Sequence, residues 1–68
     1  MKLTHRQRQV VELLATGASC PAIARRLGVS LSTVRAHVRA IAALLQRHDD
    51  VPALRLIRQN ARKLLEAA

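Results

Sequence analysis

The sequence predicts an all-α fold of four short helices, over residues 5–16, 20–27, 31–45 and 51–66, on three observations. Hydroxyl-bearing residues suited to cap a helix stand at Thr4, Ser19 and Ser30, each ahead of a run whose apolar residues recur at steps of three and four. Glycines suited to end a helix follow two of those runs, at Gly17 and Gly28, because glycine enters the left-handed conformation without the penalty of a Cβ. The chain has 68 residues, half of them hydrophobic, and no Phe, Tyr or Trp. It has material for one small core of Leu, Val, Ile and Ala and too little for two.

The first helix opens at Thr4, whose hydroxyl can accept from the amide of Gln7 while the Gln7 side chain reaches back to the Thr4 amide, a reciprocal capping box. Val10, Leu13 and Leu14 share its apolar side, with Val11 beside them, and Gly17 stops it. Ser19 caps the second helix, with Pro21 in the first turn, where a missing N–H costs little. Ile23, Ala24 and Leu27 face inward before Gly28. Ser30 caps the third helix, and Val29 and Val34 flank that start as a hydrophobic staple. Leu31, Val34, Val38, Ile41 and Leu45 then form one stripe. The fourth helix is expected to take Asp49 or Asp50 as its cap, Pro52 in its first turn, and Leu54, Ile57, Ala61, Leu64 and Leu65 as its stripe.

Twelve Lys and Arg against four Asp and Glu give a formal charge of +8, which draws the chain to polyanions. No run approaches the roughly 20 apolar residues of a membrane span, and the N-terminus lacks the apolar centre of a signal peptide. The expected location is therefore the cytoplasm, with no membrane partner. Cys20 is the lone cysteine, which rules out an intrachain disulfide or a cysteine zinc site and leaves it a small residue near a helix start. His5, His37 and His48 have no i, i+4 spacing, and Glu12, Asp49, Asp50 and Glu66 form no acid–base pair on one element. No metal, no cofactor and no enzymatic activity are expected.

The second and third helices, joined across Gly28, Val29 and Ser30, have the layout of a helix-turn-helix. At 100° per residue, Ala36 lies opposite the third helix's apolar stripe, with Ser32, Arg39, Ala40 and Ala43 near it and Thr33, Arg35 and His37 at the flanks. A face small in the middle and cationic along one edge can approach a groove floor closely. A charged helix face alone is more often plain solvated surface.

Leu3 to Leu45 resembles the LuxR/GerE-type (NarL/FixJ-like) DNA-binding domain of bacterial transcription regulators, through Leu3-Thr4 with Arg6, Leu13-Leu14-Ala15 then Gly17, Ile23-Ala24 before Leu27, and above all Ser30-x-x-Thr33-Val34-Arg35-x-His37. The resemblance implies a single four-helix domain over residues 1–68 whose third helix enters the major groove of double-stranded DNA, with Thr33 and Arg35 on DNA and His37 on the phosphate backbone. Taken with the outward face, the expected contacts with base edges or adjoining backbone are Ser32, Thr33, Arg35, Ala36 and Arg39, and those with phosphates are Arg25, Arg26, His37 and Arg47. Gln7, Gln9 and Ala22 stand where that family often has glutamates, Ala40 where it often has Asn, Leu44 where it often has Lys, and Gln46-Arg47 where it often has Gly-Val.

The resemblance also implies a homodimer through the fourth helix, on an inverted repeat. That helix carries more apolar residues than a small monomer need bury, so Leu56, Ile57, Ala61 and Leu64 are the expected interface. The alternative is an interaction protein whose fourth helix sequesters a related regulator or contacts RNA polymerase while binding DNA weakly. The leading expectation is a small transcription regulator, nucleoid-associated and sequence-specific.

Overall fold

A computed structural model describes residues 3–45 and 53–67. Four helices run in the order α1 (His5–Ala15), α2 (Cys20–Leu27), α3 (Leu31–Leu44) and α4 (Ala53–Ala67). The all-α expectation therefore holds, with small changes at the ends. Thr16 and Leu45, expected as last helical residues, are instead the C-caps of α1 and α3. Asp49, Asp50 and Pro52, expected to start the fourth helix, lie outside the described residues, as does Arg47.

Side chains take over the missing backbone partners at three helix starts. Thr4 Oγ1 accepts from the Gln7 amide at 3.1 Å, and Gln7 Oε1 accepts from the Thr4 amide at 2.9 Å, completing the capping box. A neutral glutamine thus performs the reach-back for which a glutamate is the common choice. Ser19 and Ser30 accept from the amides of Ala22 and Thr33. At the far end of α1, Gly17 adopts φ +94°. Its amide donates to Leu14 O at 3.0 Å and that of Ala18 to Leu13 O at 3.2 Å. This crossed pair is the glycine-dependent helix stop.

The helices share one core. α1 supplies Val10, Val11 and Leu14, α2 supplies Ile23 and Ala24, α3 supplies Val34, Val38 and Ile41, and α4 supplies Ile57, Ala61 and Leu64. Leu14, Ile23, Ile41 and Ile57 are wholly buried, and each such aliphatic side chain stabilises the fold by about 1.5–3 kcal/mol. α3 packs on the other three helices, whereas α4 packs on α1 and α3 and, among the described residues, not on α2. Leu31 and Leu45, the ends of the α3 stripe, are only half-buried.

α1 and α4 are antiparallel neighbours, held at both ends by arginine. Arg58 of α4 donates to Leu14 O at 3.2 Å and to Ala18 O at 3.0 Å, where α1 ends. Arg8 of α1 donates to Leu65 O at 3.2 Å in the last turn of α4. Carbonyls at a helix C-terminus lack intrahelical partners and carry the negative end of the helix dipole. A guanidinium there satisfies both needs.

The interface residues expected on the fourth helix are corrected by their burial. Leu56, Ile57, Ala61 and Leu64 are 4, 0, 5 and 2% exposed within one protomer. Ile57, Ala61 and Leu64 belong to the shared core; Leu56 falls outside the apolar stripe of its helix and is buried all the same. Counting apolar residues on the helix overstated the surface left over, because a core without aromatic side chains needs a wide aliphatic face from each helix to close.

Candidate nucleic-acid interface

The turn between α2 and α3 is set by backbone geometry. Gly28 lies at φ +69°, a left-handed conformation that strains any residue with a Cβ. The Val29 amide donates back to Ala24 O at 3.0 Å. Ser30 then starts α3 in extended backbone. Its hydroxyl accepts from the Thr33 amide at 3.1 Å and shares hydrogen bonds with Thr33 Oγ1 at 2.9 Å and Ser32 Oγ at 3.1 Å. Three hydroxyls are therefore ordered at the head of α3. The S-x-x-T spacing of Ser30 and Thr33 is what puts the two hydroxyls within reach of each other.

Beyond that head, Ser32, Thr33, Arg35, Ala36 and Arg39 are all exposed, as are Ala40 and Ala43. They lie on the side of α3 away from Val34, Val38 and Ile41, so the five residues expected near base edges occur together on one outward face. Arg25 and Arg26, in the last turn of α2, are also exposed. Arg26 additionally borders a shallow groove of about 310 Å³ between α1 and α2, lined by Gln9, Glu12, Leu13, Thr16 and Leu27 as well. His37 is half-buried, at the edge of the face rather than on it, and Leu44 is half-buried against the core. Position 44 thus contributes to packing where a lysine would project a charge.

The electrostatics follow from which cations are already engaged. The ion pairs among the described residues are Arg8 with Glu12 at 3.3 Å and Arg62 with Glu66 at 3.2 Å, both within α1 or α4. Arg25, Arg26, Arg35 and Arg39 have no acidic partner among the described residues. Their charge is available to an external anion. Among the same residues, no group of His, Cys, Asp and Glu could hold a metal ion, and no helix is long and apolar enough to cross a membrane.

A family profile described as bacterial regulatory proteins, luxR family, matches residues 1–57. A monoamine regulon transcriptional regulator from Klebsiella aerogenes is 49% identical over 41 residues, which cover 60% of this chain and 18% of that relative. The match thus spans less than a fifth of the relative's length. No solved structure matches the chain.

Proposed function

The chain belongs to the luxR family of bacterial regulatory proteins, a DNA-binding, non-enzymatic class, and from that premise we propose that it is a sequence-specific transcription regulator whose α3 enters the major groove. The observation that carries this reading is the outward face of α3, small at Ala36 and Ala40 and edged by Arg35 and Arg39, which have no acidic partner among the described residues. In the proposed complex Ser32, Thr33, Arg35, Ala36 and Arg39 meet base edges or adjoining backbone. Arg25, Arg26, His37 and Arg47 hold phosphates. An arginine on this edge suits a guanine, whose N7 and O6 take a bidentate guanidinium, while the flanking cations set register and orientation.

Two copies on an inverted repeat, with half-sites about one helical turn apart, are the arrangement we propose for the bound state. DNA itself brings the copies together. The aliphatic residues of α4 are occupied inside each protomer, and its exposed side chains include Arg55, Arg58, Arg62 and Lys63, which repel their like in free solution. The same burial weakens the alternative in which α4 captures a related regulator or RNA polymerase. Sedimentation should find a monomer without DNA and two copies on a duplex carrying a selected inverted repeat; one copy on that duplex contradicts the arrangement. A regulator of this kind works in the cytoplasm, at the nucleoid.

Selection of bound fragments from a random duplex pool supplies the test. Arg35→Ala should weaken binding to the selected sequence by about 1–3 kcal/mol and relax preference at one base position. Unchanged affinity and preference would remove α3 from the reading.

A further inference from the structure

Ser30 Oγ has three close partners: it accepts from the Thr33 amide at 3.1 Å and lies 2.9 Å from Thr33 Oγ1 and 3.1 Å from Ser32 Oγ. A hydroxyl has one hydrogen and two lone pairs. The amide occupies one lone pair, which leaves one lone pair and one hydrogen for the two hydroxyl neighbours. Both contacts are made when Ser30 donates to one neighbour and accepts from the other. Of Ser32 and Thr33, one therefore keeps its hydrogen for something outside the chain. The other turns its hydrogen inward and presents only lone pairs. Both side chains are exposed, so this difference faces whatever meets α3.

Position on the helix decides between them. Ser32 lies near the centre of the outward face, on the side of the exposed Ala36 and Ala40, and Thr33 lies at its flank. On a helix seated in a groove the centre meets base edges and the flank meets the backbone, whose phosphate oxygens only accept. Thr33 must then donate outward, so it accepts from Ser30, and Ser30 in turn accepts from Ser32. The Ser32 hydroxyl is left as an acceptor alone. Its donors in the major groove are the amino groups of adenine and cytosine, whereas guanine and thymine present oxygens there. A serine free to turn suits either kind of edge. We infer that Ser30 is a positioning residue that fixes Ser32 as a hydrogen-bond acceptor, so that the base facing Ser32 is one carrying an amino group, adenine or cytosine. The inference rests on the DNA-binding reading above, and it makes Ser30 a determinant of specificity that acts through Ser32.

The test uses the full chain and a duplex selected from a random pool. The base pair in question is the one at which Ser32→Ala relaxes the preference. Removing the amino group there, with 2-aminopurine for adenine or 2-pyrimidinone for cytosine, should weaken wild-type binding on the order of tenfold, the effect of one mismatched contact. A transition at that pair, which exchanges the amino group for an oxygen, should weaken it as much. Ser30→Gly removes the hydroxyl and leaves a tolerable cap; it should abolish the effect of the transition, because Ser32 can then turn and donate. Ser30→Thr keeps a hydroxyl and should keep the wild-type discrimination. A capping role alone would weaken binding to both duplexes equally. An unchanged ratio between them in folded Ser30→Gly therefore overturns the inference, as does a wild type indifferent to the amino group or the absence of any base pair sensitive to Ser32→Ala. The amino-removal measurement involves no change at Ser30, so it decides the matter even where Ser30→Gly unfolds. Failure of wild type to select any sequence overturns the DNA-binding reading itself, and this one with it.

Discussion

Arginine does two different jobs in the two halves of this molecule. On α1 and α4, Arg8 and Arg58 are spent on the fold: they cross between antiparallel helices and donate to Leu65 O, Leu14 O and Ala18 O at 3.0–3.2 Å. On α2 and α3, Arg25, Arg26, Arg35 and Arg39 are exposed and have no acidic partner among the described residues. Net charge alone cannot tell these groups apart. What separates them is an account of hydrogen-bond partners, which shows where positive charge has been left for something outside the chain.

Substitutions can break that contrast in order of expected size. The largest effect should come from Ile41→Ala, because Ile41 is wholly buried on a helix that packs against all three others. A loss of about 2–5 kcal/mol is expected for such a truncation, and a denaturant titration should show both halves failing together. Arg35→Ala comes next, lowering affinity for a selected duplex by about 1–3 kcal/mol while the midpoint of thermal unfolding stays in place. Arg58→Ala should show the reverse pattern. Stability falls by about 1–2 kcal/mol through the loss of its charged hydrogen bonds to α1, and the folded fraction retains its preference among DNA sequences. Arg62→Ala marks the small end, at less than about 0.5 kcal/mol in stability, because its pair with Glu66 is exposed. If Arg58→Ala and Arg35→Ala instead gave the same profile, the division of labour would be wrong.

The parts legible in the sequence are those governed by near neighbours. Thr4 with Gln7, Ser19, Ser30, Gly17 and Gly28 mark helix limits through hydrogen bonds and dihedral preferences confined to a few residues, and they place each of the first three helices to within one residue. The outward face of α3 is legible for a similar reason, since helical periodicity alone sorts Val34, Val38 and Ile41 from Ser32, Arg35, Ala36 and Arg39. The arginine clasps are different in kind. Arg8 and Leu65 are 57 positions apart, and nothing local to either residue specifies the antiparallel packing that joins them. Leu56 shows the same limit from the other side, because its place off the stripe of α4 marked it as surplus surface although the fold buries it. Family resemblance supplied what periodicity could not, namely the proposal that the outward face of α3 meets DNA.

That proposal is tested most directly by backbone amide shifts of the isotopically labelled chain as one equivalent of a selected duplex is added. The largest changes should map to Ser30 through Arg39 and to Arg25 and Arg26, with the α1–α4 seam around Leu14 and Arg58 little affected. Changes confined to α1 and α4, with α3 silent, would contradict the assignment of α3 as the element that reads DNA.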